Sequence, residues 1–301
     1  MESPFMRIPA ELRLAIYSYL FDAGEAVANI DNDGVCPESG TNRIPNKGKP
    51  KTISIRNRRD SDKSQHRAHC EHSGAQRSAS SSPTRTRYQI MERSFRRRRV
   101  EATYCLENKK AYFCTALMRV NRAVWAETAH LVYAGHEFDF GPDVEAPKPF
   151  FSDLTPQTRG LVKRIAIYKR GPWLFDSWSD RCEWQTMCAY LSENVSVEHL
   201  RLVVQAGHVE DQGWYSKGEA NRSHPRELSS TDVALLVDIR HDTLDWVGDL
   251  VRLNKLRELE VVPDFCTVPS PQTSNMFLFM AFSASIDKGF KEFLRGRLGL
   301  D

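Results

Sequence analysis

Residues 5–21 read FMRIPAELRLAIYSYLF, a run in which apolar side chains recur at helical spacing. We predict a helix over residues 7–21, because Pro9 suits a first turn, where a missing backbone N–H leaves no hydrogen bond unmade. Three apolar side chains recur every four residues and therefore share one side of this helix: Leu12, Ile16 and Leu20.

The bulk composition is that of a folded protein with a core. Of the 301 residues, 41% are hydrophobic and 27% are charged, and no apolar run approaches the roughly 20 residues that span a bilayer. The seven cysteines form no C-x-x-C pair, and their odd number favours a reducing compartment over a disulfide framework. We therefore expect an intracellular protein, nuclear or cytoplasmic, that does not enter a membrane.

Positive charge is concentrated in one part of the chain. Residues 43–99 hold 17 Lys and Arg against 4 Asp and Glu, whereas the rest of the chain holds 25 against 35. So polar a stretch has little apolar surface with which to offset the entropy of ordering. We predict that residues 29–109 are a disordered basic insertion, which separates an N-terminal helix in residues 1–28 from a helix and strand domain over residues 110–301.

Regular structure is predicted to resume after residue 110. Residues 115–133 have the spacing of a strong helix, with Val120 and Val124 on its apolar stripe. Strand patterns follow over residues 137–140, 162–168, 197–204 and 256–262. Helical patterns separate the strands, and a closing helix over residues 274–298 is expected to bend at Gly289. The predicted fold class is α+β, an irregular layer of helices and strands packed with the N-terminal helices.

The chain carries no motif of a known catalytic mechanism. G-x-S-x-G, H-E-x-x-H, the P-loop and G-x-G-x-x-G are all missing, so we predict a protein that is not an enzyme and needs no cofactor. Four side chains are of types that bind zinc: His66, His69, Cys70 and His72. A second ligand set is missing, so a solvated stretch is preferred to a metal site.

Four consecutive arginines form the densest basic cluster: Arg96, Arg97, Arg98 and Arg99. Such a cluster is typical of a nuclear import signal, and the alternative is a flexible charged linker. Nucleic-acid binding is disfavoured as a function, because only Tyr88 and Phe95 could stack on bases beside the basic residues.

Three segments, taken in order, resemble a known family. Ile8-Pro9-Ala10-Glu11 with the spaced Leu and Ile that follow resembles the first helix of F-box domains. Its form, Pro-Ala-Glu-Leu-Arg-Leu-x-Ile-Tyr, is similar to a fungal F-box-like group with an E-x-R signature, present once here as Glu11-Leu12-Arg13. The second segment, residues 117–140, resembles that group's Leu-x-x-Val-x-Arg-x-x-x-x-Glu helix, Leu-Tyr turn and aromatic strand. Residues 159–167 are a third, weaker match.

The resemblance implies an adaptor that works through protein–protein contacts. F-box proteins dock a linker protein of cullin-type ubiquitin ligases through their N-terminal helices and present a C-terminal domain to a protein substrate. Carried over to this chain, the partner-binding residues are Ile8, Pro9, Leu12, Ile16 and Leu20. In one alternative these five side chains pack on the helix at residues 115–133. In another, the chain is a non-catalytic fungal interaction protein with an F-box-like fold but no ligase docking, steered to the nucleus by its basic tract.

Overall fold

The computed structural model of the chain describes residues 4–22, 51–59, 85–91, 99–107, 117–171, 177–209 and 226–300. They divide into two units. The first comprises Met1–Ser54 with Leu106–Glu137, and the second comprises Ile55–Cys105 with Phe138–Asp301.

In the first unit, a 3-10 turn over Pro4–Arg7 leads into helix α1, Ala10–Asp22, and helix α2 is Arg122–Tyr133. Helix α2 begins later than predicted because Asn121 caps it. The Asn121 side chain accepts a hydrogen bond from the N–H of Val124 at 2.8 Å. Val120 therefore precedes the helix and is exposed, so its predicted place on a buried stripe is wrong.

Within the described residues, seven strands form one sheet in the order β2-β3-β1-β4-β5-β6-β7. Their bounds are β1 Lys51–Arg59, β2 Tyr88–Met91, β3 Arg99–Leu106, β4 His136–Asp139, β5 Arg164–Lys169, β6 His199–Val209 and β7 Glu258–Val268. Strands β2 and β3 are antiparallel, and β5, β6 and β7 are parallel. The four predicted strands correspond to β4 to β7. The mixture of helix and strand confirms the α+β class.

Strands β1, β2 and β3 lie within residues 29–109, so the predicted disorder of that whole stretch is wrong for these three segments. Ile53 and Ile55 of β1, Ile90 of β2 and Ala102 of β3 are buried. The physical reason is local. Apolar side chains at alternate positions lie on the same face of a short strand and can be buried there, even where the surrounding composition is basic. The rest of the predicted insertion lies outside the described residues.

The helices of the second unit are α3 Pro147–Asp153, α4 Pro156–Leu161, α5 Ser177–Asn194, α6 Ser230–Asp238, α7 Val247–Leu250, α8 Ser274–Ser285 and α9 Lys291–Leu298. A π-helical turn over Ile286–Phe290 separates α8 from α9, so the predicted closing helix is interrupted at Gly289. A Cβ atom on Gly289 would lie 2.2 Å from the Leu228 carbonyl oxygen, so this position excludes any side chain.

Two buried tryptophans anchor the end of β5. The rings of Trp184 in α5 and Trp246 before α7 meet edge to face, with centroids 5.4 Å apart, and the Trp184 Nε1–H donates to the Trp246 carbonyl at 3.0 Å. The ammonium of Lys169, the last residue of β5, lies 5.2 Å from the Trp184 ring centroid. Strand and helices are thus joined by aromatic and cation–π contacts.

Candidate partner-binding surface

Helix α1 begins at Ala10, three residues later than predicted. The N–H groups of Leu12 and Arg13 both donate to the Pro9 carbonyl at 3.1 Å, which makes Pro9 the residue before the first helical turn. Ahead of it, the N–H of Ile8 donates to the Phe5 carbonyl at 3.2 Å. The N-terminal segment is therefore a tight turn that feeds directly into α1.

The buried side of α1 carries Arg13 and Tyr17. The Arg13 Nε–H donates to Glu127 Oε2 of helix α2 at 3.0 Å, and its Nη2–H donates to Glu127 Oε1. The Tyr17 hydroxyl donates to Glu127 Oε2 at 3.1 Å, and its ring meets that of Phe5 with centroids 5.8 Å apart. A bidentate ion pair with a phenol beside it thus joins α1 to α2.

The charges in this network stabilise one another. Hydrogen bonding from Arg13, opposed by desolvation, lowers the pKa of Glu127. The same hydrogen bond raises the pKa of Arg13. Burial, with the hydrogen bond to the Glu127 carboxylate, raises the pKa of Tyr17. The network therefore holds an ionised carboxylate, a guanidinium and a neutral phenol at neutral pH.

A second side of α1, next to the buried one, presents apolar side chains to solvent. Leu12 is 57% exposed, Ile16 is 38% exposed and Tyr19 is 71% exposed. These three side chains, spaced at i, i+4 and i+7, share one side of the helix, and we call them the exposed stripe. Of the five side chains that the alternative packs on the helix at residues 115–133, Leu12 and Ile16 are thus exposed.

The other predicted partner-binding residues flank the exposed stripe in sequence. Ile8 and Leu20 are half-buried, and Pro9 is exposed. Tyr19, the most exposed of the apolar side chains on α1, was not among the predicted residues although its i+7 spacing from Leu12 could have indicated it. Glu127 is the final glutamate of the motif quoted from residues 117–140, but its contact with Arg13 was not predicted, because the spacing of α2 alone does not show which residue its carboxylate meets.

The predicted basic and metal-ligand clusters are largely outside the described residues. Arg99 is the first residue of β3 and is exposed, whereas Arg96, Arg97 and Arg98 lie outside the described ranges. The group His66, His69, Cys70 and His72 lies outside them as well. Among the residues that the structure describes, no three His, Cys, Asp or Glu side chains are grouped as a metal site requires. Within the same ranges, no helix has the length and apolarity to cross a bilayer.

No protein-family model matches this chain, and no curated protein or solved structure is significantly similar to it. The family resemblance therefore rests on the residues of the segments that carry it.

Proposed function

We propose that this protein is an F-box-like substrate-recognition adaptor of a cullin-type ubiquitin ligase and that α1 binds the ligase's linker protein. The observation that carries the proposal is the exposure of Leu12 and Ile16, which the family resemblance assigns to docking. An apolar pair one helical turn apart is the arrangement with which a helix lies in a partner's groove. Burial in such a groove would remove from water the apolar surface of these side chains that is exposed in the chain alone.

The ion pair beneath the exposed stripe supports the same proposal. Arg13 belongs to the first resembling segment and Glu127 to the second, and their side chains bind each other. This contact supports treating the two segments as parts of one N-terminal module rather than as separate matches. In the proposal, the second unit presents a surface to a protein substrate.

The test is a double substitution, Leu12→Asp with Ile16→Asp, in the full-length chain. Removing two apolar anchors of about 1.5 kcal/mol each should weaken binding of purified linker protein by about a hundredfold. Isothermal titration calorimetry with wild-type and variant chains measures the effect. Because both side chains are exposed in the chain alone, circular dichroism should show an unchanged fold.

A matched control exists at the C-terminal end of helix α6. Leu235 in the helix and Ile239, the residue that caps its end, are also a Leu and an Ile one turn apart, and they are 61% and 60% exposed. Leu235→Asp with Ile239→Asp therefore makes the same chemical change on a surface that the proposal does not use, and it should leave the affinity for linker protein unchanged. Equal losses in both variants, or no binding by the wild-type chain, would refute the proposal.

The alternative function, an interaction protein with no ligase docking, predicts the second of these results. A wild-type chain that does not bind linker protein but still binds other cellular proteins would favour this alternative. Its nuclear form is tested separately by replacing Arg96, Arg97, Arg98 and Arg99 with alanine and following the chain in cells by microscopy.

A further inference from the structure

We infer that Arg13 and Glu127 are positioning residues that hold the segment Met6–Pro9 ready for the partner, an inference that rests on the proposed function. The segment contains Ile8 and Pro9, which the family resemblance places in the docking surface. The side chain that contacts the backbone of this segment most directly is that of Arg13.

The Arg13 guanidinium reaches back along the chain to two backbone carbonyls. Its Nη1–H groups donate to the Met6 carbonyl at 3.2 Å and to the Ile8 carbonyl. Both carbonyls precede helix α1 and cannot accept hydrogen bonds in its helical ladder. A single side chain on the buried side of α1 therefore ties down the segment that leads into it.

Glu127 sets the direction in which that guanidinium points. Its two carboxylate oxygens accept from Nε and Nη2 of Arg13, the two-point geometry that suits a planar guanidinium. With that edge occupied, the Nη1–H groups are left facing the carbonyls of Met6 and Ile8. A residue more than a hundred positions away in the sequence therefore governs the order of the N-terminal segment.

Tyr17 provides a second connection between Glu127 and this segment. Its hydroxyl donates to Glu127 Oε2, and its ring packs against the ring of Phe5, which precedes Met6 in the 3-10 turn Pro4–Arg7. Loss of the Glu127 carboxylate thus loosens the segment both through Arg13 and through Tyr17. A segment that is already ordered loses less conformational entropy when it binds, and this raises its affinity.

The test compares wild type with Glu127→Gln by two measurements. The first is amide hydrogen exchange at Ile8, whose N–H donates to the Phe5 carbonyl. The second is affinity for purified linker protein. We expect the amide exchange rate of Ile8 to rise about tenfold and the affinity for linker protein to fall about tenfold, because the substitution weakens one charge-assisted hydrogen-bond network.

Glu198→Gln is the matched control. Glu198 is 22% exposed in its side chain against 21% for Glu127, and it accepts from a basic partner, Lys163 Nζ, at 2.8 Å. Hydrogen bonding from Lys163 also lowers the pKa of Glu198. This variant loses a comparable ion pair in the second unit, so Ile8 exchange and linker affinity should both stay at their wild-type values.

A charge-swap variant, Arg13→Glu with Glu127→Arg, separates positioning from simple helix pairing. The swap restores an ion pair between α1 and α2, but the glutamate at position 13 has no N–H groups to donate to the carbonyls of Met6 and Ile8. We expect the unfolding midpoint to recover towards wild type while Ile8 exchange stays fast and affinity stays low. If the unfolding midpoint, the Ile8 exchange rate and the linker affinity all return to wild-type values, the pair acts only by joining the helices, and the inference is overturned.

The remaining outcomes distinguish the inference from the function on which it rests. Unchanged Ile8 exchange in Glu127→Gln overturns the inference even if linker protein binds the wild-type chain. Faster exchange with unchanged affinity overturns it too, since the ordered segment then has no part in docking. If the wild-type chain does not bind linker protein, the proposed function fails, and Ile8 exchange still decides whether Glu127 orders the segment.

Discussion

Arg240 takes a left-handed backbone conformation, with φ of 51°, just beyond the end of helix α6. The N–H of His241 donates to the Leu236 carbonyl at 2.9 Å and the N–H of Arg240 to the Val237 carbonyl at 3.0 Å. These two bonds form the helix-ending motif in which glycine is the usual residue at the left-handed position. An arginine Cβ is strained there, because it crowds the following carbonyl.

We predict that Arg240→Gly stabilises the protein. Relief of the left-handed strain gives about 1–2 kcal/mol, and the added freedom of glycine in the unfolded chain takes back about 0.5–1 kcal/mol. The net gain in the free energy of unfolding should be about 0.5–1 kcal/mol. Chemical denaturation measures it, with Arg240→Ala as the control that keeps the Cβ. An Arg240→Gly chain no more stable than the alanine variant would show that no strain is stored at this position.

Glu127 makes the stability of the first unit depend on pH. Hydrogen bonding from Arg13 holds the pKa of Glu127 in the folded chain below its ordinary value. The unfolded chain therefore takes up this proton first as pH falls. The contribution of Glu127 to the free energy of unfolding is complete above about pH 5 and is lost as the pH falls through the folded pKa.

We predict that Glu127→Gln removes this acid-dependent part of the stability. The difference in unfolding free energy between wild type and variant should shrink when the pH is lowered from about 6 to about 3. Urea unfolding monitored by the amide signals of α1 and α2 measures that difference at each pH. A difference that stays constant across this range would contradict the prediction.

The buried side of α1 also shows what residue types alone could not predict. Hydrophobic spacing placed Leu12, Ile16 and Leu20 on one side of the helix and left open whether that side binds a partner or packs internally, and the buried residues are Arg13 and Tyr17. An arginine is buried here because a carboxylate from another helix pairs with it. That partner is distant in sequence, so periodicity within α1 could predict the helix but not which side it buries.

At the scale of elements, β7 is the last of the described strands in the sheet order, and we call the edge that no described strand pairs with its free edge. The N–H of Glu258 donates to the Glu198 carbonyl beside β6, so even-numbered residues of β7 direct their backbone groups towards β6. Odd-numbered residues direct theirs to the free edge. Pro263 is one of these, and its nitrogen therefore offers no donor at the middle of the edge.

We predict that Pro263→Val promotes self-association through β7. The substitution adds a backbone N–H to the free edge, and a hydrogen bond of about 1 kcal/mol should raise the association constant about fivefold. Sedimentation velocity over a range of protein concentrations measures the change. The control is Pro271→Val, because Pro271 follows the strand and lies outside its edge. Self-association that rises equally in both variants would rule out the edge as its cause.

Strand β1 was the element least visible in the sequence. Its apolar content is Ile53 and Ile55, set among lysine and arginine residues. Arg56 is not simply solvated, because its guanidinium donates to the Asp139 carbonyl at 2.9 Å and lies 3.2 Å from an Asp139 carboxylate oxygen. Charged residues that form hydrogen bonds or ion pairs with a neighbouring strand cannot be distinguished, in the sequence alone, from residues of a disordered tract. Strands β4 to β7 were predicted because alternating apolar residues mark each of them independently.

At the scale of the whole molecule, the division into units departs from the predicted domains. The prediction placed boundaries after residues 28 and 109, where composition changes, whereas the two units divide the chain inside β1 and β4 and near Cys105. Composition reports which segments can be buried, and it carries no information on which distant segments pair. The N-terminal helix was therefore predicted correctly as an element. Composition did not predict that it would share a unit with α2; that grouping is indicated by the family resemblance and by the contact between the two helices.

The tryptophan pair in the second unit has an optical consequence. Because the two indole rings are buried with centroids 5.4 Å apart, we expect them to couple electronically and to give a strong near-ultraviolet circular dichroism signal. Opening of the second unit separates Trp184 from Trp246 and abolishes the coupling. The first unit contains a single tryptophan, Trp125, so it contributes no such paired signal. The protein thus carries a label-free spectroscopic reporter that shows whether a change made in α1 has left the second unit folded.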